Sequence, residues 1–153
     1  MNHIYLHIAK PKDLIEIIEI ERSSFLSPWS ERMFLEEMSN PHSRAWTAKR
    51  WDIGSTTIGY IFYQLAAFEM HILNLAVHPD FRNQGVGTFI LSEVIKKERL
   101  LKSARYVYLE VRANNAAAIA LYKKLGFKEL GVRKNYYQKE KTDAIIMGRP
   151  IKG

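Results

Sequence analysis

Cysteine is absent from the 153-residue chain. Disulfide bonds and thiol catalysis are excluded with it, and the absence is compatible with a reducing compartment. No apolar run approaches the ~18 residues that a membrane-spanning helix needs. The first residues, Met1-Asn-His-Ile-Tyr-Leu-His, do not have the build of a signal peptide, so a cytoplasmic protein without a membrane partner is expected. Both common nucleotide fingerprints are missing. Gly85 and Gly87 are followed by Thr88 and no lysine, and Ile90 stands where a dinucleotide loop would carry its third glycine. Neither ATP nor NAD is therefore the expected ligand. Zinc-ligand spacing, an RNA-binding aromatic signature, internal repeats and low-complexity segments are all lacking too, so neither a metal nor direct nucleic-acid binding is expected.

The composition is that of an ordinary globular domain, 47% hydrophobic and 25% charged, and residues 1–153 are read as one domain with a full core. Lys and Arg outnumber Asp and Glu by 23 to 16, a net charge of +7. The basic residues are spread over the segments 96–105 and 123–134. Several fall in the last turns of expected helices, where cations complement the dipole. They read as solvated helix faces, with some available for a phosphorylated ligand.

The chain is organised around the stretch Asn74-Leu-Ala-Val-His-Pro-Asp-Phe-Arg-Asn-Gln-Gly-Val-Gly-Thr-Phe-Ile-Leu91. It reads as an apolar strand, a Pro-containing loop and a glycine turn opening a helix. Val86, Phe89, Ile90, Val94 and Leu101 have helical spacing. A helix N-terminus has unpaired N–H donors and the positive end of a dipole, and glycine lets a ligand approach closely, so this corner suits a phosphate group.

In order, residues 3–8 read as a strand, followed by a helix capped by Asp13 with Glu16 completing a capping box. Leu14, Ile17, Ile18 and Phe25 form its buried stripe. Ser30 caps a second helix to about Met38. Trp29 either staples the two helices or stands beside a substrate cleft. Strands follow at about 44–50, 56–66 and 70–77, then the glycine corner and a helix from Val86 to about Lys102. In the strand 105–112, Val107, Leu109 and Val111 share one face, while Tyr106, Tyr108, Glu110 and Arg112 share the other. Asn114-Asn115 starts a helix that Gly126-Phe127 stops in Schellman fashion, and two strands close the chain. The expected fold is mixed α/β around one mostly antiparallel sheet with about four helices.

With these elements in place, the chain resembles the acetyl-CoA-dependent GNAT N-acetyltransferases. The residues that carry this are Leu75-Ala76-Val77, Arg82-Asn-Gln-Gly85-Val-Gly87, and Asn115 through Leu121-Tyr122-Lys-Lys-Leu-Gly126-Phe127. Pro28-Trp29-Ser30, the run Leu109 to Tyr122, Arg133-Lys-Asn-Tyr-Tyr137 and Asp143-Ala-Ile-Ile-Met147 look like the RimI type within that superfamily. Those enzymes acetylate the N-terminal alanine of a small-subunit ribosomal protein. The resemblance implies acetyl-CoA as co-substrate, held by Leu75, Ala76, Val77, Asn83, Gln84, Gly85, Val86, Gly87, Thr88 and Asn115. It also implies Glu110 as proton acceptor, Tyr122 as proton donor, and the N-terminus of a ribosomal protein or other peptide as acceptor.

The chemistry of the side chains agrees with these roles. A thioester acyl transfer needs a neutral amine, a polarised carbonyl and a protonated sulfur leaving group. A carboxylate such as Glu110 suits the first, backbone N–H groups near Ala76-Val77 the second, and a phenol such as Tyr122 the third. Each residue has an alternative: Glu110 as an ion pair with Arg112, Tyr122 as a packing residue, Tyr136 and Tyr137 as core aromatics instead of substrate contacts. Glu69 is a second carboxylate for the base or for amine binding. His71 and His78 read as ordinary strand and loop residues. Acetylation of a small-molecule amine and a non-catalytic CoA-binding module are the competing functions.

Overall fold

The computed structural model describes residues 3–152. Met1, Asn2 and Gly153 lie outside the described residues, and with them the beginning of the N-terminal segment and both ends of the single domain read over 1–153. The elements run β1 (Ile4–Ile8), α1 (Leu14–Ser24), α2 (Glu31–Ser39), β2 (Ser43–Arg50), β3 (Thr56–Ala66), β4 (Glu69–Val77), α3 (Val86–Leu101), β5 (Tyr106–Arg112), α4 (Ala116–Lys124), β6 (Lys128–Tyr137) and β7 (Thr142–Pro150). Short 3₁₀ turns lie at Pro11–Asp13, Trp51–Ile53 and Pro79–Phe81. This is the mixed α/β order expected. The seven strands form one sheet in the order β1-β2-β3-β4-β5-β7-β6, and among them β4 and β5 pair in parallel. Their connection is the glycine corner plus α3, the helical crossover that parallel neighbours require.

Apolar layers sit on both faces of the sheet. On one, Val86, Ile90, Leu91 and Val94 of α3 meet Met70, Ile72, Val107, Leu109 and Val111 of β4 and β5. On the other, Leu14, Ile17 and Ile20 of α1 and Phe34 of α2 meet Tyr60 and Phe62 of β3. Each such side chain, fully buried, contributes roughly 1.5–3 kcal/mol. The α3 stripe differs from the spacing read at its end: Leu101 is 62% exposed, and Leu91, Ile95 and Glu98 are buried instead. In α1, Ile20 and Glu21 complete the buried face, while Ile18 and Phe25 are half-buried at its margin.

The capping box expected at Asp13 does not form. A 3₁₀ turn precedes α1, and the buried Asp13 carboxylate accepts the Lys10 N–H at 2.8 Å and the Lys49 ammonium at 2.9 Å. Glu16 reaches β3 instead, accepting the Thr57 N–H at 3.3 Å. Ser30 does cap α2, its Oγ accepting the Met33 N–H at 3.2 Å. At the end of α4, Gly126 has φ +89°. Phe127 N–H donates to the Tyr122 carbonyl and Gly126 N–H to that of Lys123, each at 3.0 Å, the Schellman pattern. The Tyr122 and Phe127 rings pack 5.7 Å apart, which fixes the outer end of the helix that presents Tyr122.

One irregularity positions the site. β4 pairs with β3 through Phe62↔Asn74 and then Tyr63↔Ile72, so Leu73 is an extra residue on β4. The β4–β5 pairing ends at the same level, at Ile72↔Leu109. An inserted residue reverses the alternation of side chains beyond it. Met70 and Ile72 accordingly face α3, whereas Ala76 packs on the α1 side and Asn74 bonds to Glu21 of α1. Past Leu73 the two parallel strands diverge, β4 remaining with β3 and β5 with β7.

Candidate active site

The divergence of β4 from β5 opens the sheet, and a cleft lies on each side of the gap. The larger, about 550 Å³, is walled by the end of β4, the glycine corner and α4. Leu75, Ala76, Val77, Asn83, Gly85, Val86, Gly87, Thr88 and Asn115 all line it, nine of the ten residues expected to hold acetyl-CoA. Gln84 is the exception: its side chain turns back to donate to the Asp80 carbonyl at 3.3 Å. Gly85 ends the loop with φ +79° as the N-cap of α3, and no side chain caps that helix. The first α3 hydrogen bond is Phe89 N–H to the Gly85 carbonyl, at 3.0 Å. Val86, Gly87 and Thr88 N–H thus remain as donors facing the cleft, a ready anion cradle. A Cβ on Gly87 would touch Leu121 at 3.4 Å and Val77 at 3.8 Å, so any larger side chain there fills the space between β4 and α4.

Strand alternation identifies the free donors at the gap. His78 N–H donates to Ile58 of β3 at 2.7 Å, which aims the N–H of Ala76 the same way and those of Leu75 and Val77 toward the gap. The Val77 carbonyl already accepts from Arg82 Nε at 3.1 Å. The N–H groups of Leu75 and Val77 therefore point into the gap, and that of Ala76 toward β3.

The second cleft, about 220 Å³, lies between the loop joining α1 to α2, the floor of β4 and β5, and the β6–β7 hairpin. Trp29, Glu110 and Tyr137 line it, and Tyr122, Leu75 and Asn115 line both clefts. Tyr122 is 9% exposed. Burial, and then the neighbouring Tyr137, push its hydroxyl up to about 12, so it is a protonated phenol at any ordinary pH. Asn115 uses its Oδ1 to cap α4, accepting the Ala118 N–H at 3.2 Å, and by that bond sets the helix that carries Tyr122.

Glu110 is not paired with Arg112. Its Oε2 lies 2.7 Å from His71 Nε2 and its Oε1 3.4 Å from Arg133 Nη1. The His71 hydrogen bond, aided by the charges of His71 and Arg133 against partial burial, holds its carboxyl below the ordinary range. His71 is itself stacked on Tyr108, ring centroids 4.4 Å apart. The Trp29 ring packs on α2 and β3, 5.1 Å from Phe34 and 5.8 Å from Phe62, and lines the smaller cleft. Tyr137 is half-buried in the cleft, its hydroxyl pushed up to about 12 by burial and then by Glu110. Tyr136 stands outside both clefts, exposed beneath the Arg133 guanidinium at 4.6 Å. Glu69 is exposed at the start of β4, beside Tyr106 in register and away from the gap. Asp143 bonds to the Asn135 N–H within its own hairpin at 2.8 Å.

Comparison with known proteins decides the family. Residues 14–127 match the family model described as "Acetyltransferase (GNAT) family". The chain belongs to the GNAT acetyltransferase family. It is 38% identical over 141 residues to the [ribosomal protein bS18]-alanine N-acetyltransferase of Escherichia coli strain K12, covering 91% of this chain and 92% of that one. It is 35% identical to the putative enzyme of the same name from Bacillus subtilis, covering 89% of this chain and 88% of that one. The crystal structure of the ribosomal-protein-S18-alanine N-acetyltransferase from Escherichia coli superimposes with a TM-score of 0.88 at 32% identity, covering 98% and 95% of the two chains.

Within this GNAT enzyme, four side chains about the smaller cleft carried no site role in the sequence: His71, read as an ordinary strand residue, and Arg133, Glu21 and Asn74. His71 was legible in principle. Two parallel strands bring residues of equal alternation together, and His71↔Tyr108 puts it one same-face step from Glu110. Arg133 reaches Glu110 across β7 from β6, and Asn74 reaches Glu21 only because of the bulge at Leu73. Neither signal exists in local spacing.

Proposed function

We propose that the chain transfers the acetyl group of acetyl-CoA to the α-amine of a peptide N-terminus, and that its substrate is the N-terminal alanine of a small-subunit ribosomal protein. The observation that carries this is the pair of clefts meeting at Tyr122: Glu110 faces the smaller alone and the glycine corner the larger alone. In this reading the free N–H groups of Val86, Gly87 and Thr88 take the pyrophosphate, and those of Leu75 and Val77 polarise the thioester carbonyl. Glu110, held by His71 and Arg133, accepts the amine proton directly or through water, and Tyr122 donates its hydroxyl hydrogen toward the departing sulfur. Trp29 and Tyr137 flank the first residues of the peptide.

The acceptor class follows from proton affinity. An α-amine, pKa ~7.7–8.0, is easier to deprotonate than lysine, ~10.4, by about 3.5 kcal/mol. Glu110 is a weak base with a depressed pKa, so it matches the easier substrate. The relatives named above as bS18-alanine N-acetyltransferases support alanine as the first residue. A thiol-release screen of Ala-initiated peptides against polyamines and other small amines tests this. Turnover of the peptides is expected, and turnover confined to small amines contradicts it.

A further inference from the structure

Three carboxylates are buried among the described residues: Asp13, Glu21 and Glu98. Asp13 is paired with Lys49 at 2.9 Å and Glu98 with Arg44 at 3.5 Å. Glu21, 1% exposed, takes part in none of the ion pairs among the described residues. Its partners are neutral donors from three elements: Tyr60 Oη at 2.5 Å, Asn74 Nδ2 at 2.9 Å and the Trp29 backbone N–H at 2.9 Å. It lines the cleft that also holds Glu110.

A second observation lies beside it. Asn74 is 7% exposed, and among the described residues its Oδ1 is the buried side-chain atom that finds no hydrogen-bond partner. Its Nδ2 is committed to Glu21, so the amide orientation is fixed and the vacant atom is an acceptor. A buried carboxylate without a cation and a buried acceptor without a donor are each costly. Both lie in the wall of the same cleft, and one ligand group satisfies both: a cation that carries N–H donors.

We propose that Glu21 and Asn74 form an ammonium subsite, which receives the positively charged N-terminus of the acceptor peptide before Glu110 removes its proton. This inference rests on the acceptor reading above and names the contacts that select a free amine over a blocked one. The three neutral donors fix the carboxylate without neutralising it, so its charge is kept for the ligand. The bulge at Leu73 is what turns Asn74 toward α1, and the same bulge stands where the strands part, which ties the subsite to the gap.

The test compares two peptides on the CoA-loaded enzyme by calorimetry near neutral pH. One begins with alanine, the other with a propionyl group, identical but for the amine. The wild type should bind the amine form about tenfold or more tightly, the effect of a hydrogen bond to a charged group. In Glu21→Gln that gap should close to within about twofold, with CoA affinity retained. A folded Glu21→Gln protein that keeps the full gap overturns the subsite. Because an amide in that position sets an N–H against the Trp29 N–H, a measurement on the wild type accompanies it. The side-chain amide resonances of Asn74 should shift with alaninamide and not with propionamide, and an equal response to both refutes the proposal. The two readings fail separately. A wild type that acetylates alanine peptides but shows no amine gap loses only the subsite, and one that shows the gap without acetylating them loses only the acceptor assignment.

Discussion

Replacing Tyr122 by Phe removes one oxygen from the junction of the two clefts and leaves the ring against Phe127, 5.7 Å away. Its consequence can be worked from the surroundings. Burial and Tyr137 push the hydroxyl up to about 12, whereas an ordinary thiol titrates near ~8.5. Complete proton transfer from the phenol to a fully formed thiolate would thus be uphill by about 3.5 units, roughly 5 kcal/mol. In the proposed mechanism Tyr122 would therefore act chiefly by donating a hydrogen bond to the sulfur as negative charge develops there. Such a bond to a charged group is worth roughly 1.5–3 kcal/mol, or about 10- to 150-fold in rate, which meets the lower end of the ~10²–10⁴ range for general acid catalysis. The expected kcat of Tyr122→Phe in a thiol-release assay is about 10²-fold below the parent. Acetyl-CoA affinity by calorimetry and the melting temperature should hardly change. A variant within twofold of the parent rate would leave Tyr122 a packing residue.

Three further outcomes follow from the same geometry. Glu110→Gln should lower kcat/KM by roughly 10²–10⁴. Because His71 and Arg133 hold the wild-type carboxyl below its ordinary range, it stays ionised above about pH 4.3, and any stability it lends is lost only as pH falls below that. With the amine taken up as its cation and deprotonated by Glu110, kcat/KM should fall on the alkaline side as the free amine loses its proton near ~7.7–8.0, and that limb should keep its position in the variant; a limb that moves would place a different group in control. Gly87→Val, crowding the space bounded by Leu121 and Val77, should weaken acetyl-CoA binding at least tenfold by calorimetry, and unchanged affinity would reduce the corner to a turn. Lys49→Met strands the buried Asp13 carboxylate and should cost about 3–5 kcal/mol, or very roughly 6–20 °C in melting temperature.

The fold was legible because each element carries its own period or cap. The strict alternation of Tyr106–Arg112, the Gly126-Phe127 stop and the Ser30 cap all stand in the structure as read. The wall of the larger cleft was legible for the same reason, since the glycine corner is contiguous in sequence and lies between a strand and a helix. The smaller cleft was not. Its carboxylates are held by residues 23, 39 and 53 positions away, Arg133, His71 and Asn74, and the one-residue bulge that reverses β4 leaves no mark on local composition. Asp13 misled for a related reason: its sequence suits a cap, and a buried lysine two strands from the N-terminus claims it instead.

The proposed acceptor is a peptide α-amine with alanine first. The most direct measurement is mass-spectrometric mapping of the acetyl group after incubation with acetyl-CoA and two peptides. One begins with a free alanine, and the other is blocked at its N-terminus and carries an internal lysine. Acetylation is expected at the alanine α-amine, with the blocked peptide unmodified. Acetyl groups found mainly on the lysine would contradict it.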